Sequence, residues 1–430
     1  GDITVLVAMR FSRGLLRCAA STSRSASASA SASAAAPSSS AASNGTAVLM
    51  MNMGGPSTPD VATVGAFLHR LFTDNDIIEM GGGWVQKNVG AFIAKRRAPK
   101  VAEQYEQIGG SPIRKWTEQQ GEAMCRLLDE TRPESAPHKP YIAFRYADPL
   151  TEETLTKMKA DGVKRVVAFS QFPQWSCTTT GSSMNELWRT VKELGMGDDF
   201  EWSIIDRWAD HPGFIASVQE RIAEGMEQFD VADRSKVTIL FSAHGVPMKV
   251  VAKGDHYVPE VCATVKSVMN AWGSHARSGA TEGLESPNKY ILAWQSKVGY
   301  LPWMAPSTSE SIEALGKRGT RHVLVVPVAF TSDHVETLYE IAMEYKEEAE
   351  EHGITHFKWT EGLNGSATFA QALRDIVAEH LDGDELYSSQ YKMKCLGCTK
   401  PLCRQIMNPA QMTGAGAAGG AGGKVVELEA

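Results

Sequence analysis

From Ala47 onward the chain repeats one pattern. A short apolar run rich in β-branched and aromatic residues ends in small or polar residues, and an amphipathic stretch of helical length follows. The apolar runs predict strands at 47–51, 141–145, 165–169, 201–205, 237–242, 290–294 and 322–328. The amphipathic stretches between them predict helices at 62–72, 117–130, 152–160, 213–227, 258–271 and 335–351. Continuously apolar strands that alternate with helices imply parallel sheets covered on both faces. The pattern therefore predicts an α/β fold of two doubly wound, Rossmann-like parallel-sheet domains with a cleft between them. Residues 47–207 form the first domain and 208–385 the second, with the boundary near 206–212.

Length and composition fit that picture. At roughly 150 residues per domain, 430 residues leave room for two or three domains. A hydrophobic content of 43% with 22% charged residues is that of a chain able to build a sizeable core. With 43 basic against 50 acidic side chains, the chain lacks the basic balance that gripping a phosphate backbone requires, so nucleic acid is not an expected partner. The longest apolar run of the body, Val323 to Phe330, is far short of the ~20 residues of a spanning helix.

Residues 1–46 have a different character. After Asp2 they carry no acidic residue, their charges are Arg10, Arg13, Arg17 and Arg24, and 22 of the 25 positions from Ala19 to Ser43 are Ala or Ser. That composition points to an organelle transit peptide, with Met9-Arg10-Phe11 as a natural start and mitochondrial import as the expected outcome. A flexible low-complexity tail is the bland alternative.

In doubly wound sheets chemistry sits beyond the carboxyl ends of the strands. Those positions here hold Asn52-Met53-Gly54-Gly55-Pro56, Arg145-Tyr146, Gln171 to Cys177, Ser242-Ala243-His244 and Thr331 to Glu336. His244, where its strand runs out, suits a general base near neutral pH. Ser332 or Asp333 is placed to cap the following helix, on which Glu336, Glu340 and Glu344 recur at i, i+4 and i+8 along one stripe. A strand-end histidine is more often structural, and three such glutamates are more often a solvated face. A stripe that starts at a strand-end loop containing His334 instead points to a cation path or proton relay. A hydrolase reading built on Ser182, Ser183, Cys177 and His244 lacks a Gly-x-Ser-x-Gly elbow, and the Thr-Thr-Gly-Ser-Ser run reads as phosphate ligands or turn formers. There is no P-loop, and the Gly-x-Gly-x-x-Gly match at 414–419 lies in a Gly/Ala tail with no strand before it.

Seven cysteines are too few and too odd for a disulfide scaffold, and three of them form Cys395-x2-Cys398-x4-Cys403. Three thiolates need a fourth ligand, and Cys177, Cys125, Cys262 and Cys18 are available. Both an iron-sulfur cluster and zinc fit that count.

Taken together, Leu49 to Pro56, Phe92 to Arg97, Gln171 to Ser183, Ser242-Ala243-His244, Trp294 to Gly299 and Phe330 to Tyr339 resemble the signature segments of the ferrochelatases. The resemblance runs from about Val48 to Cys403. It implies a lyase that inserts Fe2+ into protoporphyrin IX with release of two protons, the terminal step of haem synthesis. His244 resembles the family's proton acceptor, with Glu336, His334 and Asp333 beside it, and Glu340 and Glu344 continue a carboxylate path for protons or iron. Carboxylate and imidazole together also suit transient Fe2+ coordination. Met53, Arg145, Trp303 and Phe330 match residues that line the porphyrin pocket, and Arg97, Tyr105 and Ser111 match residues that hold its propionates.

The same resemblance implies an apolar active-site lip at about 71–89 that contacts the matrix side of the mitochondrial inner membrane. It implies a [2Fe-2S] cluster on Cys177, Cys395, Cys398 and Cys403, carried by an extension at 386–410 that helps build a homodimer. Gly245-Val246 replace the Ser-Leu of the animal pattern, and the Gly/Ala-rich tail at 411–430 reads as disordered. A relative that uses coproporphyrin, and a porphyrin or metal carrier without turnover, are the competing readings. A carrier has no use for a base at His244 beside Glu336.

Overall fold

Strand formation follows the apolar runs closely. In the computed structural model, which describes residues 45–77, 83–284, 287–299, 301–386 and 388, β1 (Thr46–Asn52) is buried at all seven positions. After it come α1 (Val61–Thr73), α2 (Gly83–Gln107), α3 (Ile113–Thr131), β2 (His138–Phe144), α4 (Thr151–Ala160) and β3 (Arg165–Ser170). A π-helical turn at Cys177–Gly181 leads into α5 (Ser182–Glu193) and then β4 (Glu201–Ile205). The second half repeats the plan with α6 (Pro212–Glu227), β5 (Thr238–His244), α7 (Met248–Ala252), α8 (Tyr257–Arg277), β6 (Lys289–Gln295), α9 (Thr308–Lys317) and β7 (His322–Pro327). It ends with a π-helix at Glu336–Tyr345, α10 (Lys346–Glu351), β8 (His356–Trp359) and α11 (Ala367–Asp382).

The described strands form two four-stranded sheets, ordered β2-β1-β3-β4 and β6-β5-β7-β8, and every pairing is parallel. The α/β fold of two doubly wound sheets read from the pattern is what forms. In each half the first strand lies between the second and third, so its end opens between two crossovers, the position where doubly wound sheets place ligands. One apolar core runs through both halves, from Val48, Met50 and Phe169 to Ile239, Phe241 and Val326, and α11 packs into it through Phe369 and Leu373. Each such large side chain contributes about 1.5–3 kcal/mol of burial.

Several elements differ from the pattern. The four residues of β8 (His-Phe-Lys-Trp) carry no apolar run, because an edge strand keeps polar residues on its open side. Helix α2 is nearly without an amphipathic period and contains Pro99; it packs on α1 through small residues, and a Cβ at Gly90 would stand 2.6 Å from the Phe72 carbonyl oxygen. Ser182 and Ser183 are not turn formers: both are buried in the first turn of α5. The helix expected at 335–351 is wound as a π-helix over its first ten residues, and its N-cap is Val335 with no side-chain cap, so neither Ser332 nor Asp333 caps it. At its start the Gln295 side-chain amide donates to the Glu336 carbonyl oxygen at 3.0 Å, a contact from outside the helix. The transit-like segment, Cys18, Cys395, Cys398, Cys403 and the Gly/Ala tail lie outside the described residues.

Candidate active site

The candidate chemistry gathers at the carboxyl end of the second sheet. β5 ends at His244, whose Nδ1 lies 2.7 Å from the Gly245 carbonyl oxygen. A carbonyl only accepts, so Nδ1 carries the hydrogen and Nε2 of the neutral ring is left as the basic nitrogen. The Trp303 ring centroid is 6.3 Å from that of His244, and its indole N–H is buried without a partner. β7 runs out into 328–335, where the Phe330 ring lies 4.3 Å from the buried imidazole of His334.

His334 Nε2 approaches Glu336 Oε2 to 2.8 Å, off the line of a hydrogen bond, so both atoms and His334 Nδ1 keep unused hydrogen-bonding capacity. Burial alone would discharge both groups. Desolvation raises the Glu336 carboxyl, but the close approach of His334, and to a smaller extent the charge of His244, outweigh it and bring it down to about 2. Desolvation lowers His334, yet the carboxylates of Glu336, Asp333 and Glu340 leave it above its usual value. Both shifts favour the imidazolium and carboxylate forms of the pair, whose unsatisfied polar atoms lie at the mouth of a sheet.

Asp333 has a different position. Its Oδ1 accepts from Thr337 Oγ1 and the Gly362 backbone N–H, and its Oδ2 accepts from Asn364 Nδ2 at 2.6 Å, so the carboxylate anchors the loop that presents His334. Glu340 is held by several donors: Ser296 N–H (2.9 Å), Ser296 Oγ (2.5 Å), Gln295 Nε2 (3.2 Å) and Tyr345 Oη (2.6 Å). Gln295 in turn accepts from Ser242 Oγ at 2.6 Å, tying β5 and β6 to the glutamate stripe. Glu344 is exposed at the far end of the stripe, and partial desolvation with the neighbouring charges of Glu340 and Glu347 holds its carboxyl above the usual range.

The first half contributes a wall. Met53 follows β1 and packs on the same apolar cluster as Val335. Gly54, at φ +79°, lies where a Cβ would stand 2.8 Å from that of Phe144, and a Cβ on Gly55 would meet Ser111 Oγ, so the Gly-Gly pair lets this loop sit tightly over its neighbours. Ser111 Oγ is buried without a partner. Tyr105 is buried, and its phenol is pushed up by desolvation and then by the Glu336 charge, so it lies within electrostatic reach of the second-half pair. Arg97 is apart from these: it is exposed on α2, 5.6 Å above the Phe72 ring.

Arg145 is already paired. Its Nη2 lies 2.9 Å from Asp74 Oδ2 and 3.5 Å from Glu186, and its Nε donates to Ser182 Oγ. The same Asp74 oxygen accepts from Tyr146 Oη at 2.7 Å and Ser182 Oγ at 2.6 Å. Asp74, Gln295, Ser296 and Tyr345 are the residues the sequence reading did not assign. Gln295 and Ser296 lie in a segment that carried the resemblance; nothing local marks Asp74 or Tyr345.

Of the candidate thiols, Cys125 is core, 2% exposed, and its thiol is pushed up by burial. Cys262 is exposed on α8. Cys177 is half-buried at the start of the π-helical turn, where Ser176 is the N-cap and the Cys177 backbone N–H donates to Asp255 Oδ2 at 2.7 Å. Among the described residues no three His, Cys, Asp or Glu side chains are grouped as a metal site.

Comparison with known proteins follows the same residues. Positions 45–381 match the ferrochelatase family. The chain is 51% identical over 364 residues to the mitochondrial ferrochelatase of Schizosaccharomyces pombe, covering 84% of this chain and 82% of that one. It is 48% identical over 362 residues to that of Homo sapiens, covering 84% and 82%. The matched span takes in both sheets, the His244 strand end and the glutamate-bearing π-helix, and the chain belongs to the ferrochelatase family, enzymes that insert iron into protoporphyrin in haem biosynthesis.

Proposed function

We propose that this chain inserts Fe2+ into protoporphyrin IX with His244 as the acceptor of the pyrrole protons. Forming the iron–nitrogen bonds releases two N–H protons, so a single base must be emptied between them. The observation that carries the reading is the buried His334–Glu336 pair, charged and with unused polar capacity, coupled electrostatically to His244. Glu340 and Glu344 extend that pair toward solvent and supply the route by which protons leave or iron enters. Met53, Arg145, Trp303 and Phe330 line the macrocycle, while Arg97, Tyr105 and Ser111 hold the propionates; the unpartnered Trp303 Nε1 and Ser111 Oγ are donors such a ligand would satisfy. His244→Ala is expected to lower metallation by about 10²–10⁴-fold while porphyrin still binds. Haem formation followed by absorbance, beside quenching of porphyrin fluorescence, checks this, and normal turnover would sink it.

Cys177, Cys395, Cys398 and Cys403 would hold a [2Fe-2S] cluster. Supporting this, Leu386 and Ser388, just before the cysteine segment, bond the Ile204 backbone of β4 (2.8 and 3.0 Å) in the pattern of a parallel ladder, on the same sheet whose β3 leads to Cys177. Purified protein should show cluster absorption that Cys403→Ser removes; a colourless, zinc-loaded protein would refute it. The division into an α/β half at 47–207, a second at 208–385 and a cluster-bearing extension belongs to the same reading.

Mitochondrial location follows the relatives and the composition of residues 1–46. Peripheral contact with the inner membrane is supported by Trp84 (78% exposed), Phe92 (66%), Val85 and Val89 on α2, beside exposed Lys87, Lys95, Arg96 and Arg97. No helix among the described residues is long and apolar enough to cross a membrane. Flotation with anionic vesicles tests the contact, and sedimentation tests the homodimer.

A further inference from the structure

We propose that Ser296 and Tyr345 are positioning residues that, with Gln295, cage the Glu340 carboxylate as a fixed anion on the second half's strand-end surface, an inference that rests on the carboxylate route above. The starting observation is backbone strain. Ser296 sits at φ +64°, a left-handed conformation that non-glycine residues adopt at a cost and that the surroundings must over-determine. What that conformation achieves is visible: it turns both the backbone N–H and the Oγ of one residue onto the two oxygens of Glu340, at 2.9 and 2.5 Å.

The cage closes from two further directions. Gln295 Nε2 donates to Oε2 at 3.2 Å from the end of β6, and the Tyr345 hydroxyl donates to Oε1 at 2.6 Å from five residues along the π-helix. A carboxylate with two oxygens offers about four strong accepting directions, and these four donors use them. Donors of this kind fix the orientation of the carboxylate and cost it rotational freedom. The phenol of Tyr345 is pushed up by burial and by Glu340, so it remains a donor and cannot become a competing anion.

The glutamates of the stripe therefore divide the work. Glu336 has an oxygen without a hydrogen-bond partner and Glu344 is exposed, whereas Glu340 between them has no accepting capacity left. It acts as a stationary negative charge that holds His334 in its charged form and draws cations along the stripe, not as a carrier that picks up and releases.

The test compares Tyr345→Phe and Ser296→Gly with Glu340→Gln in the full chain, measuring kcat and the KM for Fe2+ alongside porphyrin affinity by fluorescence quenching. Each donor lost from the cage is expected to lower kcat/KM for Fe2+ about tenfold, since a hydrogen bond to a charged group is worth roughly that. Porphyrin affinity should stay within twofold. Ser296→Asn, whose side chain tolerates positive φ and retains a donor, should recover part of the loss. Unchanged kcat/KM in both donor variants, with Glu340→Gln inactive, overturns the cage and spares the route. Full activity in Glu340→Gln overturns the route itself. A fall in porphyrin affinity that matches the fall in turnover also overturns the proposal, because Ser296 would then act on the macrocycle. Tyr345→Phe keeps the test open if Ser296→Gly does not fold.

Discussion

The two halves of the molecule share one sheet order, and a polar cluster at the strand ends of each, around Asp74 in the first and His334 in the second, is built in opposite ways. At the mouth of the first sheet, Arg145, Tyr146 and Ser182 all converge on one oxygen of Asp74, while Asp74 Oδ1 accepts from the Asp76 backbone N–H; the charges there are paired off. At the mouth of the second sheet His334 and Glu336 carry charge with polar atoms left over, and His244 keeps a basic Nε2. A closed network stabilises and does little chemistry, because every lone pair and hydrogen is already used. The open one retains the capacity to take a proton or a cation. With equal topology, the Asp74 cluster of one half is closed and the His334–Glu336 pair of the other is open, and the distinction between these two clusters lies in hydrogen-bond satisfaction.

The strongest way to break this comparison is Glu336→Gln. Removing the carboxylate leaves His334 buried without its counter-charge, and turnover is expected to fall by about 10³-fold, within the range of lost acid–base catalysis, with porphyrin binding retained. A loss under tenfold would place the chemistry elsewhere. In the first half, Asp74→Asn leaves Arg145 buried without its closest charge, a loss of about 3–5 kcal/mol for a broken buried pair, read as a lowered urea midpoint. Turnover per folded molecule should fall far less than in Glu336→Gln, and the reverse ranking would abolish the contrast between the halves.

The smallest effect sharpens the comparison through pH. Glu336 is lowered from 4.5 to about 2, so its contribution to stability is complete above about 4.5 and is lost as pH falls toward 2. His334 is raised above 6.5, so its contribution is complete below about 6.5 and is lost as pH rises through its folded pKa. The pair is strongest between those limits. In Glu336→Gln the alkaline limb should reverse, because a buried imidazole without a partner resists charging; urea midpoints measured from pH 4.5 to 8.5 decide it.

Much of this was legible in the chain. Continuous apolar runs such as Val48 to Met51 and Val323 to Val326 can only be strands buried on both faces, and they announced the parallel sheets. The strand-end motifs announced His244, His334 and Glu336, because topology places such residues at one edge of a sheet. The π-winding was not legible in the local pattern, and neither was the contact that Gln295 makes with the Glu336 carbonyl from 41 residues away. Nor was the commitment of Arg145 to Asp74, whose partners lie 72 and 108 residues along the chain at Tyr146 and Ser182.

The sequence by itself determined the fold class and the family, because these follow from local periodicity and from residue types at strand ends. The tertiary structure alone decided which charges are free to act. Whether Asp333, Glu340 or Arg145 is available for chemistry depends on donors brought in from distant segments, and a hydrogen bond between such segments leaves no periodic trace in the chain that makes it.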